Sequence, residues 1–282
     1  MSHKLNLAQD KSLGQHWLVD QDVLKQISKS LNLIDPKTYD LILEIGPGRG
    51  ALTQYLLKAV KSEGKHLVAV EFDDRMYAHL QKQYPSAQNL KLIHQDYLKF
   101  NEEDLLHSLD GSTSATLSYI IIANLPYNIS SPIFAKLVNI KLKPIAASLL
   151  IQKEVAQRLV AEAGQKGCSP LSIKLNNIYE TELGLVVPKS AFDPPPKVTS
   201  QVIKLKLRSQ PIIPEQQMDS LMKLVNIGFK FRRKKLINNL NSTFDSFKLK
   251  STFEECNIDL NSRAENLSLT QWVGAAFSLG LN

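Results

Sequence analysis

Five short apolar runs, most of them followed by a stretch of helical periodicity, constrain this chain more than any other feature. They span residues 39–45, 66–72, 90–94, 119–123 and 144–151. Helical patterns occupy about 50–60, continue to about 84 after the second run, and follow the fourth and fifth runs. Near-continuous apolar strands alternating with helices predict an α/β fold with a mostly parallel sheet covered on both faces. Two later stretches, 172–179 and 200–207, are expected to add strands, making seven. Ahead of the first run, Val23, Leu24, Ile27 and Leu31 fall at helical spacing. The stretch 101–118 reads as a surface excursion ending in a Ser/Thr-rich loop.

The character of the chain changes after about Ser209. Pro211 and Pro214 punctuate it, and Met218, Leu221, Met222, Val225 and Phe229 then recur at helical spacing. This predicts a catalytic domain over 1–208 and a small all-helical domain over 209–282. Apolar residues make up 43% and charged residues 22% of the 282, enough to build a sizeable core. The longest apolar stretch, near 145–151, is far too short to span a bilayer. The first residues lack the apolar core and cleavage site of a secretory signal. Cys168 and Cys256 suit neither a disulfide framework nor a metal cage. A cytoplasmic monomer without metal or membrane association is expected.

The first run ends in Glu44-Ile45-Gly46-Pro47-Gly48-Arg49-Gly50. Glycines there let the backbone turn tightly and let a ligand approach closely. With Ala51 the run also fits the loose dinucleotide pattern, so a nicotinamide cofactor or a plain turn would explain it alone. Glu71 ends the second run, where a carboxylate can accept from both hydroxyls of a ribose. Asp96 follows the third, where a carboxylate can accept from the amino group of a cofactor's adenine. Acids after successive strands favour a nucleoside cofactor, and the next motif favours S-adenosylmethionine.

The fourth run leads directly into Asn124-Leu125-Pro126-Tyr127. An adenine amino nitrogen is a poor nucleophile because its lone pair is delocalised into the ring. The Asn124 side-chain oxygen and a neighbouring backbone carbonyl can accept its two N–H bonds and localise that lone pair for attack on a sulfonium methyl. Pro126 stiffens the loop and lacks an N–H. Tyr127 can stack on the base, worth ~1–3 kcal/mol. A paired base cannot reach such a pocket, so the target must be flipped or unpaired.

Two later clusters bear on the substrate. Phe192-Asp193-Pro194-Pro195-Pro196-Lys197-Val198 is a stiff extended segment, and Phe192 is a candidate second wall of the base pocket. Lys230, Arg232, Arg233, Lys234 and Lys235, interleaved with Phe229 and Phe231, open a helical stretch and are candidate phosphate contacts. Between Lys189 and Lys250 there are 13 Lys/Arg against 4 Asp/Glu, whereas the rest of the chain is near neutral. Such localised charge points to a polyanion partner, although a solvated basic face would look similar.

Taken in order, these motifs resemble those of the small-subunit ribosomal RNA adenine dimethyltransferases. Gly14-Gln15-His16-Trp17-Leu18 is similar to that family's N-terminal signature, with Trp17 in place of its usual Phe. Glu44 to Gly50, Glu71, Asp96 and Asn124 to Tyr127 resemble its cofactor and target-base motifs. Phe192 to Ser200, Phe231-Arg232-Arg233-Lys234, Asn238-Asn239-Leu240 and Arg263 to Ser268 resemble its later ones. The resemblance implies a Rossmann-like class I methyltransferase. It implies cofactor contacts from His16, Leu18, Gly46, Gly48, Glu71, Asp96 and Asn124. It also implies transfer of two methyl groups to each of two adjacent adenosines in the 3′-terminal hairpin of small-subunit rRNA, within an immature small subunit. Rival readings are an antibiotic-resistance methyltransferase acting on large-subunit rRNA, which typically carries isoleucine where this chain has Leu125, and a non-catalytic ribosome-assembly factor.

Overall fold

The structure, a computed structural model, describes residues 16–30, 34–105 and 117–281. Gly14, Gln15 and Leu31 lie outside them. The elements follow the apolar runs closely. After a short strand β1 (Trp17–Leu18) and helix α1 (Gln21–Lys29) come β2 (Leu41–Ile45), α2 (Thr53–Glu63), β3 (His66–Glu71), α3 (Asp74–Gln83) and β4 (Leu90–His94). Next are β5 (Tyr119–Asn124), α4 (Ser130–Leu137), β6 (Ala146–Gln152) and α5 (Lys153–Val160). Then follow α6 (Pro170–Ile178), β7 (Tyr179–Val187), β8 (Phe192–Asp193) and β9 (Ser200–Leu207). The chain finishes with α7 (Glu215–Gly228), α8 (Leu236–Leu240), α9 (Ser246–Glu255) and α10 (Leu269–Ser278).

The seven-stranded sheet has the order β4-β3-β2-β5-β6-β9-β7. The five strands from β4 to β6 run parallel, and β9 joins β6 antiparallel. All five residues of β2 are buried, as expected of a strand covered on both faces. A second, two-stranded sheet pairs β1 with β8, setting Leu18 opposite Phe192.

The strand expected over 172–179 is a correction. Residues 170–178 form a helix, because Ser169 caps it, Pro170 occupies its first turn, and Ser169 and Ser172 exchange capping hydrogen bonds. The strand begins only at Tyr179. Of the excursion expected over 101–118, the described start 101–105 is embedded rather than superficial, since Glu102 and Leu105 are buried, and its Ser/Thr-rich loop lies outside the described residues.

The chain divides into two compact units, 1–156 with 182–207, and 157–181 with 208–282. Segment 157–181, placed in the first domain by sequence, thus goes with the second unit. That unit is helical around Trp272, Phe253, Leu224 and Val225. Within it Asn176 donates to the carbonyls of Leu159 and Ser172 and accepts from Thr181, which holds α6 in place. Among the described residues no helix is long and apolar enough to cross a membrane.

Candidate active site

Four neighbouring parallel strands, β4, β3, β2 and β5, bring their carboxyl ends side by side. Asp96 lies just beyond β4, Glu71 closes β3, Glu44 sits near the end of β2, and Asn124 closes β5. Strand β2 lies between β3 and β5, so crossovers leave it in opposite directions and a crevice opens at its end. Two adjoining cavities occupy this crevice. One is lined by His16, Leu18, Glu44, Gly48 and Asn124 to Tyr127, the other by Phe72, Asp73, Asp96, Leu98 and Ile129. Gly46, Glu71 and Pro126 border both.

Glu71 is 6% exposed, and its two oxygens accept from the backbone N–H groups of Gly48 and Asp73 at 2.9 and 2.8 Å. Burial pushes its pKa up, and these bonds oppose that shift. The carboxylate therefore fixes the glycine loop as well as facing the crevice. Asp96 caps the turn 97–99 by accepting from the Leu98 N–H at 2.9 Å through one oxygen.

Lys136 on α4 secures that same turn. Its ammonium donates to the Tyr97 carbonyl at 2.7 Å and to the Phe100 carbonyl, pairs with buried Glu102 at 3.0 Å, and lies 4.4 Å from the centre of the Tyr97 ring. No periodicity or motif marks Lys136 in the sequence.

Among the described residues, nothing hydrogen-bonds the Asn124 side chain, which leaves its oxygen for a ligand. Leu125 is buried and donates its N–H to the Leu150 carbonyl at 3.0 Å, anchoring the loop to the sheet. Tyr127 is held from two sides. Its hydroxyl meets that of Ser200 at 2.5 Å, and its ring lies 5.5 Å from the His16 ring. His16 is in turn held by the Pro194 carbonyl at 3.0 Å. Ser200 belongs to a motif quoted from the sequence, yet only the structure pairs it with Tyr127.

Phe192 is the exception among the candidate site residues. It is 3% exposed, packs in the core with Leu18 and Ala191, and lines neither cavity. Pairing of β8 with β1 turns it inward, so in this structure it forms no wall of the cleft.

Trp17 covers the glycine loop, with the Arg49 guanidinium 5.0 Å from its ring centre. Gly48 has φ +56°, and a Cβ there would lie 2.4 Å from Cζ3 of Trp17. Both the left-handed backbone and the overlying ring exclude a side chain. Gly48→Ala is expected to weaken S-adenosylmethionine binding about tenfold or more, by ~1–2 kcal/mol of backbone cost with the displaced indole in addition. Isothermal calorimetry checks this; unchanged affinity would show that the loop yields freely.

A family model described as ribosomal RNA adenine dimethylase matches residues 6–279. The chain belongs to this family. A ribosomal RNA small subunit methyltransferase A of Nostoc sp. is 41% identical over 276 residues, covering 96% of this chain and 98% of its own. The protein of the same name from Dehalococcoides mccartyi is 36% identical over 264 residues, covering 93% and 85%. Among solved structures, a dimethyladenosine transferase from Plasmodium falciparum shares the fold at TM-score 0.68 and 24% identity, covering 92% of this chain and 96% of its own. The 23S rRNA methyltransferase ErmE does so at 0.67 and 19%, covering 93% and 99%. The nicotinamide reading of the glycine loop and the non-catalytic reading both fall away. The methyl donor of a dimethylase is S-adenosylmethionine, and the residues present suit it: acids stand at two neighbouring strand ends, Glu71 on β3 and Asp96 past β4, and a glycine loop lies beside them.

In the dimethylase's second unit, the basic cluster is an exposed turn rather than the start of a helix; α8 begins only at Leu236. Asn239, 3% exposed, donates to the carbonyls of Gly228 and Phe231 at 2.5 and 3.2 Å and ends α7 there. Lys234 and Lys230 stand 4.6 and 5.8 Å from the Phe231 ring centre. Lys235 donates to Asn261 at 2.6 Å. Arg232 is committed inward, to the Cys168 carbonyl at 3.2 Å and the Glu265 carboxylate at 3.4 Å. Glu265 belongs to the closing motif of the sequence, so this ion pair joins two motifs that lie far apart in the chain.

Proposed function

We propose that this dimethylase transfers two methyl groups from S-adenosylmethionine to the N6 nitrogen of each of two adjacent adenosines in the 3′-terminal hairpin of small-subunit rRNA, acting on immature small subunits. The observation that carries the reading is the unpartnered Asn124 amide at the end of β5, flanked by Pro126 and the doubly held Tyr127. Glu71 accepts from the ribose hydroxyls with the lone pairs its backbone bonds leave, and the second oxygen of Asp96 accepts from the donor's adenine amino group. His16, Leu18, Gly46 and Gly48 complete the donor site. The donor supplies an electrophilic methyl on sulfur. Asn124 and the carbonyl of Leu125 accept the two N–H groups of the target and localise its lone pair. Tyr127 stacks on the target base, with its hydroxyl anchored by Ser200.

The relatives named for the small subunit, Leu125, and the triple proline 194–196 favour the small subunit over the large one. Mass-spectrometric mapping after reaction with unmethylated small subunits should find dimethylated adenosines at two adjacent positions. Labelling of large subunits alone would overturn the assignment. We further place the enzyme in the cytoplasm as a metal-independent monomer.

Lys230, Arg233, Lys234 and Lys235 contact rRNA phosphates, with Arg232 bracing the turn that presents them. Replacing Arg233 and Lys234 together by Ala should weaken particle binding and reduce the slope of log affinity against log salt by roughly one per residue. Arg232→Ala should lower the melting temperature as well, because it leaves Glu265 and the Cys168 carbonyl unpaired. Filter binding across a salt series tests this; an unaltered slope in the double variant would make the turn an ordinary solvated face.

A further inference from the structure

The Glu44 carboxyl is a buried acid of the cleft with an oxygen left unpartnered. It is 1% exposed and lines the cavity that holds Asn124, and its Oε2 has no hydrogen-bond partner among the described residues. An isolated charge cannot be kept in such a place; the group either finds a cation or stays protonated. The groups that act on its ionisation include no cation. From β3 comes Glu71, a second acid, which disfavours ionisation of Glu44. From α2 comes the Thr53 side chain, which favours it. Tyr84, just past α3, has its own pKa pushed up to about 12 by burial and by the Glu44 charge. His16 and Arg49 line the same cavity, with the Arg49 guanidinium over the Trp17 ring.

The donor brings the missing charge. Asp96 marks the adenine end of the cleft and Asn124 the place of methyl transfer. The methionine part of S-adenosylmethionine, with its sulfonium and ammonium, therefore belongs to the cavity that Glu44 lines.

We propose that Glu44 is a proton-linked counter-charge for the methyl donor, protonated in the free enzyme and ionised once the cationic methionine end enters the cleft. This rests on the cleft being the donor site. The O–H bond of the carboxyl breaks, its electron pair stays on oxygen, and the proton passes to solvent; nothing is oxidised or reduced. The pKa of Glu44 in the free protein, pushed up to about 8 chiefly by burial, leaves the proton in place at neutral pH for the donor to displace. Discrimination follows directly: a neutral analogue of the methionine end gains nothing from Glu44, because no cation replaces the proton.

The test is calorimetric titration of the full-length enzyme with S-adenosylmethionine at pH 7, in phosphate and in Tris, whose ionisation enthalpies differ. The wild type should release close to one proton per donor bound, and its affinity should rise up to about tenfold per pH unit between pH 6 and 7.5. Glu44→Gln should bind with little proton release and a flat pH dependence. Binding without proton release in the wild type, or with the same release in Glu44→Gln, would overturn the proposal while leaving the donor site intact. Absence of any binding by the wild type would overturn both. Should Glu44→Gln fail to fold, the wild-type proton count and pH slope decide alone.

Discussion

An Asn124→Ala enzyme is expected to bind S-adenosylmethionine within about threefold of the wild type and to transfer methyl groups about a hundred- to a thousandfold more slowly. The reasoning starts from the strand. β5 is buried from Tyr119 to Ala123 and pairs with β2 and β6, so its last residue, partly open to the crevice, is held rigidly. The Leu125 N–H on Leu150 fixes the next residue as well. A side-chain oxygen placed this way costs no reorganisation when the target arrives, and such preorganised groups account for factors of this size. Truncation removes the acceptor without touching Glu71 or Asp96, so donor binding survives. Single-turnover transfer measured beside donor affinity separates the two effects. Turnover unchanged within a few-fold would end the acceptor role of Asn124.

Glu44→Gln should be more stable than the wild type in the absence of donor, by about 3 kcal/mol at pH 7. Unfolded, a glutamic acid ionises near 4.5; folded, Glu44 holds its proton to about 8. Below the lower value both states are protonated and the residue is neutral to stability. Between the two values unfolding releases a proton, so the wild type loses stability steadily as pH rises, and the loss is complete near pH 8. Glutamine carries no such penalty. Thermal melts should therefore coincide near pH 4.5 and diverge upward, with the variant melting roughly 6–12 °C higher at pH 7 for a domain of this size. Parallel melting curves across that range would show that Glu44 is already ionised in the free protein. A gain in stability together with weaker donor binding is the usual signature of a strained functional group.

Much of this architecture was legible because parallel strands are written as continuous apolar runs, and because four of the five runs end in or just before a residue that lines the crevice. Glu71, Asp96 and Asn124 could be placed on one end of a sheet from spacing alone. The strand expected at 172–179 rests on a stretch where Ile173 and Leu175 alternate with polar residues. The decisive signal, Ser169 followed by Pro170 with Ser172 three residues past the cap, was present but local. Phe192 was assigned by its neighbourhood of prolines, and the pairing of Leu18 with Phe192 sends its ring into the core instead. Ser200 and Lys136 act across gaps of 73 and about 40 residues, on Tyr127 and on the turn at 97–100. Hydrophobic periodicity carries no information about such pairs. The unpartnered state of Glu44 is likewise a property of what surrounds it in space.

The clasp of Lys136 has a practical consequence for anyone recombining this enzyme with its relatives. The turn after Asp96 is bolted, through the Tyr97 and Phe100 carbonyls and Glu102, to the helix that follows the Asn124 to Tyr127 loop. Exchanging 96–105 for a segment without an acid at 102 would strand the Lys136 ammonium, and exchanging 130–137 for one without a cation at 136 would strand the buried Glu102 carboxylate. Crossovers placed so that both segments come from one parent keep the pair together whatever the other parent carries at 102 and 136. The turn after Asp96 and the helix after Tyr127 are in this sense a single block, best varied together.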